Sequence, residues 1–123
     1  MYRYKASLIK IVDGDTVDAM IDCGFSTFKK ERIRLLGINA PESRTRNKEE
    51  KKKGLAAKAR LKELVKEGKN EFIVETKIDK KGKFGRLLGT LYREDPSDKD
   101  TLLSYNQILV NEGHAVVYDG GKR

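Results

Sequence analysis

The sequence predicts an all-β chain with added helices, an α+β fold built on a five-stranded OB-type barrel. Three observations lead there. Residues 6–36 read as three strands joined by short turns, a helical pattern comes next at residues 54–68, and two more strands then precede a short helix. A meander, an intervening helix and two further strands match the element order of such a barrel. With 123 residues, 37% of them apolar, the chain supports one modest core, so a single domain over residues 1–123 is expected.

Local patterns define each element. In KASLIKIV apolar residues dominate from residue 6 to residue 12. Asp13 and Gly14 then form a strong turn dipeptide. TVDAMI alternates, with Val17, Ala19 and Ile21 on one face and Thr16, Asp18 and Met20 on the other. Asp22, Cys23 and Gly24 make a second turn, and a third strand is expected over residues 26–36, with Ile33 and Leu35 on one face and Arg32, Arg34 and Leu36 on the other. Residues 43–53, SRTRNKEEKKK, contain no apolar side chain and read as a charged loop running into a helix start. From Gly54 the spacing of Ala57, Leu61, Leu64 and Val65 is helical, and Gly68 is a natural stop. EFIVETKI at residues 71–78 is a fourth strand, Asp79, Lys80, Lys81 and Gly82 a turn, and residues 86–92 a fifth strand. REDPSDKD reads as a polar loop, with Pro96 ending the strand. TLLSYNQILVNEG reads as a short helix with Leu102, Tyr105 and Leu109 on one side and Gly113 at its end; AVVY reads as a last short strand and DGGKR as a frayed tail.

Composition narrows the function classes. Cys23 is the only cysteine and His114 the only histidine. No internal disulfide can form, Cys and His zinc sites are excluded, and chemistry that uses a histidine pair is excluded as well. Cys23 is expected to be a small, partly buried side chain. Lys and Arg total 27 against 19 acidic residues, a net charge of +8, which favours a polyanionic partner, with nucleic acid first. No run is long enough to span a membrane, and MYRYKASLIK lacks the apolar segment of a secretory leader. Localisation stays open between the cytoplasm and a processed secreted form, and nothing in the sequence indicates an oligomer.

Four charged residues hold structured positions. Asp15 opens the second strand, Arg34 lies in the third, Glu42 leaves its end, and Arg86 opens a later strand. Singly, each reads as an ordinary turn or surface charge. In a small barrel they can meet on one face. Carboxylates beside arginines suit phosphodiester hydrolysis: guanidinium groups neutralise charge on phosphorus, a hard cation bridges carboxylate and phosphate oxygens, and a carboxylate deprotonates water.

ASLIKIVDGDTV, RIRLLGINAPES, KFGR and YNQILVNEGHA, in that order, resemble the staphylococcal nuclease (thermonuclease) family from about residue 6 to residue 118. The resemblance implies an OB-fold nuclease that uses Ca²⁺ to cleave DNA and RNA. It implies Asp15 as a direct metal ligand, with the Ala40 carbonyl as a further one. It implies Arg34 and Arg86 as the groups that stabilise the transition state, and Glu42 as the candidate general base. Lys83 and Phe84 would flank the nucleotide, and Tyr118 would offer a stacking ring. Asn39 stands where the best-known member has a second metal-binding aspartate, so weaker Ca²⁺ binding or tolerance of other divalent ions is expected. Phe84 stands where a tyrosine hydroxyl would meet a terminal phosphate. The absence of any base-reading module implies low sequence specificity, with Lys80, Lys81, Lys83 and the KEEKKK stretch adding salt-sensitive phosphate attraction. The alternatives are a non-catalytic OB-type nucleic-acid-binding module, for which Phe84 and Tyr118 are few stacking platforms, and a protein-interaction module.

Overall fold

Short turns and alternating apolar side chains bring the first three strands together as neighbours. The structure, a computed structural model, describes residues 2–78 and 87–118. Its elements are β1 (Tyr2–Asp13), β2 (Thr16–Asp22), β3 (Phe28–Leu35), β4 (Ile38–Asn39), α1 (Lys48–Glu67), β5 (Glu71–Ile78), β6 (Leu87–Asp95), β7 (Asp98–Ser104), α2 (Tyr105–Asn111) and β8 (Val116–Val117). The first three strands form the expected antiparallel meander. Val17, Ala19, Ile21, Ile33 and Leu35 are buried, and the residues between them face outward, as a sheet with one buried face requires.

β1 is longer than the expected residues 6–12 because two partners share it. Its first half pairs with β5, from Tyr2↔Thr76 to Ser7↔Glu71. Its second half pairs with β2, with register irregularities between Leu8 and Lys10 and between Ile11 and Asp13. Such irregularities bend a strand and let one ribbon serve two sides of a barrel. The order β3-β2-β1-β5-β6 closes through a parallel pairing of β3 with β6, Ile33↔Leu87 to Leu35↔Gly89. This is the expected five-stranded barrel. Gly89 sits at the seam, where an added Cβ would lie 2.7 Å from Val74 Cγ2 and 2.9 Å from Ile33 Cγ2. The strands therefore close over a residue with no side chain.

The C-terminal part corrects the sequence reading twice. Pro96 does end β6, and Ser97 donates its N–H and hydroxyl to Asp95 Oδ1 at 2.9 and 2.7 Å. The next residues, expected to be loop and then helix, form β7 instead and pair back on β6 from Tyr92↔Ser104 to Asp95↔Asp98. Ser104 then caps α2 by accepting the Gln107 N–H. Leu102 therefore belongs to a strand, while Tyr105 and Leu109 are fully buried under α2. Asn106 ties α2 to the barrel. Its amide donates to Leu36 O at 2.9 Å and Gly89 O at 3.3 Å, and its carbonyl accepts Leu91 N–H at 3.2 Å.

α1 begins earlier than Gly54. Asn47 accepts the N–H groups of Glu49 and Glu50, both at 3.1 Å, and these two acids occupy the first turn, where they suit the positive end of the helix dipole. Much of the expected charged loop is thus helix with a solvated face. The stripe of Ala57, Leu61, Leu64 and Val65 is buried as expected, and Gly68 closes the helix. A short ladder not expected from the sequence, Ile38↔Val117 and Asn39↔Val116, joins β4 to β8. Cys23 is exposed rather than partly buried, because it sits in the turn beyond the end of β2. Among the described residues no helix is long and apolar enough to cross a membrane.

Candidate active site

The register of β2 against β3 assembles the site. Thr16 pairs with Arg34, and Leu35 N–H donates to Asp15 O at 2.7 Å, so the residue that opens β2 lies beside the end of β3. The Arg34 guanidinium turns onto this corner. Its Nη1 lies 3.2 Å from Asp15 Oδ2 and donates to Asp15 O at 3.4 Å and Leu35 O at 3.3 Å. Its Nη2 donates to Asn39 Oδ1 at 3.2 Å. Asp15 is buried at 7% exposure. Its other contacts explain how an acid tolerates that position: Oδ2 accepts Ala40 N–H at 2.8 Å and Oδ1 accepts the Thr16 hydroxyl at 3.0 Å. A buried carboxylate needs such partners. Of the residues singled out in the sequence, Asp15, Arg34, Asn39 and Ala40 are thus brought together on one corner of the barrel.

A second set of contacts holds this corner against α1. Asp13 Oδ1 accepts the Ser43 N–H at 3.3 Å and also the Ser43 hydroxyl through a very short hydrogen bond. A Cβ on Gly14 would lie 2.6 Å from Ala57 Cβ and 3.1 Å from Ala40 Cβ. The turn, the segment after β4 and the helix therefore meet at van der Waals distance. In the sequence Asp13 and Gly14 read only as turn residues, Thr16 only as an outward strand residue and Ser43 only as the start of a charged loop. The repeated acid in DGDT, followed by a hydroxyl, is the available signal for Asp13 and Thr16; Ser43 has none.

Glu42 is exposed at the exit from this corner, and among the described residues its carboxylate has no hydrogen-bond partner. Together with Asn39, Ala40, Glu50, Lys53 and His114 it lines an open groove of about 490 Å³ between the start of α1 and residues 113–116. Tyr118 donates its backbone N–H to Gly37 O at 2.8 Å, which carries the β4–β8 pairing one step further. Lys80, Lys81, Lys83, Phe84 and Arg86 lie outside the described residues. Further along the outer face, Arg32 forks onto Asp18 at 2.8 and 3.2 Å. That hydrogen bond, more than the charges of Arg32, Lys30 and Lys10, holds the Asp18 carboxyl below its ordinary range.

The donor types at the corner suit a hard divalent cation: a carboxylate, an amide oxygen and a main-chain carbonyl are ligands that Ca²⁺ accepts. Formal charge is scarce. Among the described residues no three His, Cys, Asp or Glu side chains cluster as a metal cage, and the Arg34 guanidinium already bridges Asp15 and Asn39.

A closed five-stranded β-barrel with two added helices is the fold of the staphylococcal nuclease class. The chain belongs to that family: residues 32–123 match the family model described as staphylococcal nuclease homologue. The chain is similar to endonuclease YncB of Bacillus subtilis (strain 168), 34% identical over 97 residues that cover 79% of this chain and 43% of that protein. It is similar to the SPbeta prophage-derived endonuclease YokF of the same organism, 35% identical over 97 residues, 79% of this chain and 31% of that protein. It also resembles the uncharacterized protein MJ1439 of Methanocaldococcus jannaschii, 28% identical over 132 residues, 94% of this chain and 60% of that protein. The chain spans 31% to 60% of the length of these three relatives.

Proposed function

We propose that this chain is a calcium-dependent nuclease that hydrolyses phosphodiester bonds of DNA and RNA without sequence preference, as one domain over residues 1–123. The observation that carries the reading is the convergence of Arg34, Asp15, Asn39 and Ala40 on one corner of the barrel, with Glu42 at its open side. Membership of the nuclease family and a net charge of +8 support it.

In this reading Arg34 turns from its carboxylate and amide partners to the scissile phosphate, where its parallel donors neutralise charge that develops on the equatorial oxygens. Arg86 adds a second guanidinium. Glu42, solvated and unpaired among the described residues, takes a proton from the attacking water. The water oxygen bonds to phosphorus, one phosphorus–oxygen ester bond breaks, and the departing oxygen gains a proton. Asp15, Asn39 and the Ala40 carbonyl would hold Ca²⁺, which when bound supplies positive charge next to the phosphate. Lys83, Phe84 and Tyr118 flank the nucleotide.

Incubation with denatured DNA and Ca²⁺, with and without chelator, tests this. Cleavage abolished by chelator is expected. A gel shift with no cleavage would instead identify a binding module, and neither outcome would leave an interaction domain.

A further inference from the structure

The β2–β3 turn is built at a conformational cost with no packing in return. Gly24, Phe25 and Ser26 have φ of 85°, 53° and 59°, the left-handed region that bulky residues avoid. The turn is held there by Cys23 N–H to Thr27 O at 2.8 Å, Thr27 N–H to Gly24 O at 2.9 Å and Gly24 N–H to Asp22 Oδ1 at 2.9 Å. The side chain it presents, Phe25, is fully exposed at 105%, and Phe28 beside it is 60% exposed. Positive φ at both central residues is what a type I′ hairpin turn requires, but a phenylalanine there is an unusual choice over the glycine or asparagine such a turn favours.

The strand beyond the turn is ordered as well. Ile33 and Leu35 face the core, so the alternate positions Phe28, Lys30, Arg32 and Arg34 form one row on the outer face of β3. From its first member to its last the row spans about 20 Å of strand. The facing strand contributes Asp22, Met20, Asp18 and Thr16 in register with that row. Asp18 answers Arg32, Asp15 answers Arg34 and Asp22 stands beside Phe28, so the charge the row offers comes mainly from Lys30, with Lys10 of β1 next to Asp18. The row runs from the arginine of the candidate site to the two aromatic rings.

We propose that this row is a track for single-stranded nucleic acid, with bases stacking on Phe25 and Phe28 and phosphates following Lys30 and Arg32 toward Arg34. The assignment rests on the nuclease reading for the role of Arg34. Aromatic rings beside a cationic stripe are the chemistry that takes a single strand without reading its sequence. In the sequence only a few rings, such as Phe84 and Tyr118, read as stacking platforms. At about 3.4 Å per nucleotide of a stacked strand the track holds about six nucleotides, and fewer when the strand is drawn out. Either way it is longer than a dinucleotide.

The test is fluorescence anisotropy in chelator, where no cleavage intervenes, with oligothymidylates of two and twelve nucleotides. The wild-type chain should bind the longer strand at least about tenfold more tightly. Phe25→Ala with Phe28→Ala should abolish that difference, since each stacked base contributes about fivefold to a hundredfold. Lys30→Ala, which leaves the turn untouched, should lower the slope of log affinity against log salt by about one. Should the double variant lose its circular-dichroism signature, the Lys30→Ala slope decides: a fall of about one upholds the track and an unchanged slope overturns it. No length dependence in the wild type, or unchanged affinity in these variants, would overturn the track while cleavage with Ca²⁺ upholds the nuclease. A wild type that binds by length but never cleaves would overturn the nuclease alone. Self-association seen by sedimentation and lost in the double variant, with oligonucleotide affinity intact, would mark the rings as an interface between copies and overturn the proposal.

Discussion

Gly54 of α1 lies flat against the carbonyl group of Glu42: a Cβ on Gly54 would sit 2.5 Å from that carbonyl carbon and 2.7 Å from the amide nitrogen of Ser43. A glycine in a helix is disfavoured by about 1 kcal/mol relative to alanine. Gly54→Ala should therefore stabilise an isolated helix. Here the new methyl meets backbone, which cannot rotate away. The expected result is a net loss of about 1–3 kcal/mol in urea denaturation, together with slower cleavage as Glu42 shifts. A variant that is both more stable and fully active would show that the segment gives way freely.

The proposed roles of the two arginines and Glu42 predict a kinetic pattern. Arg34→Ala, Arg86→Ala and Glu42→Ala should each lower the single-turnover cleavage rate by at least about 100-fold with an unchanged circular-dichroism spectrum. Asp15 keeps the Ala40 N–H and the Thr16 hydroxyl when Arg34 is removed, so Arg34→Ala should still fold. Ordinary activity in any of the three takes that residue out of the mechanism.

Asn39 predicts a change in metal affinity. Asn39→Asp places a second carboxylate beside Asp15, and calorimetric Ca²⁺ affinity should rise, since charge count sets affinity at oxygen-ligated sites. The new carboxylate would also hold the Arg34 guanidinium more firmly, so the gain in binding should exceed any gain in rate. Unchanged affinity would remove residue 39 from the metal site.

Acid sensitivity arises from two ion pairs. Arg60 of α1 forks onto Glu112, at the end of α2, at 2.6 and 2.9 Å, and that hydrogen bond lowers the Glu112 pKa. Arg32 lowers that of Asp18 in the same way. A group lowered in the folded chain contributes its full stability above its unfolded pKa, near 4, and loses it as pH falls through the folded value. Both pairs are solvated, so the effect is small. Melting temperature should fall as pH drops from about 5 to about 3, and Glu112→Gln should flatten that fall.

Tyr105 is wholly buried, and among the described residues its hydroxyl has no hydrogen-bond partner; burial pushes its pKa up to about 12. Removing an unpaired buried hydroxyl relieves a desolvation penalty. Tyr105→Phe should melt at the same temperature or a few degrees higher. A clear drop in a thermal scan would reveal a bond made by that oxygen.

The legible parts of the sequence are those where one face is apolar and the other is not. Val17, Ala19 and Ile21, then Ile33 and Leu35, announce the meander, and EFIVETKI matches β5 residue for residue. The start of α1 is hidden because KEEKKK carries no apolar side chain, although Asn47 with Glu50 three residues on is a capping pattern. β7 escapes notice because its first four residues are exposed, so no alternation marks them. Two-residue β4 exists only because β8 returns beside it. The corner formed by Asp15, Arg34 and Asn39 is readable because neighbouring strands carry it. The aromatic turn is not, since full exposure of Phe25 is a property of the folded chain.

The pairing of Asn39 with Val116 gives the fold a temporal order. On the ribosome, Asp15, Arg34 and Asn39 emerge early, but the strand that pins Asn39 is made only after both helices. The Asp15–Arg34 contact needs only the meander, so the strand made last completes the corner around Asn39 and does not create it.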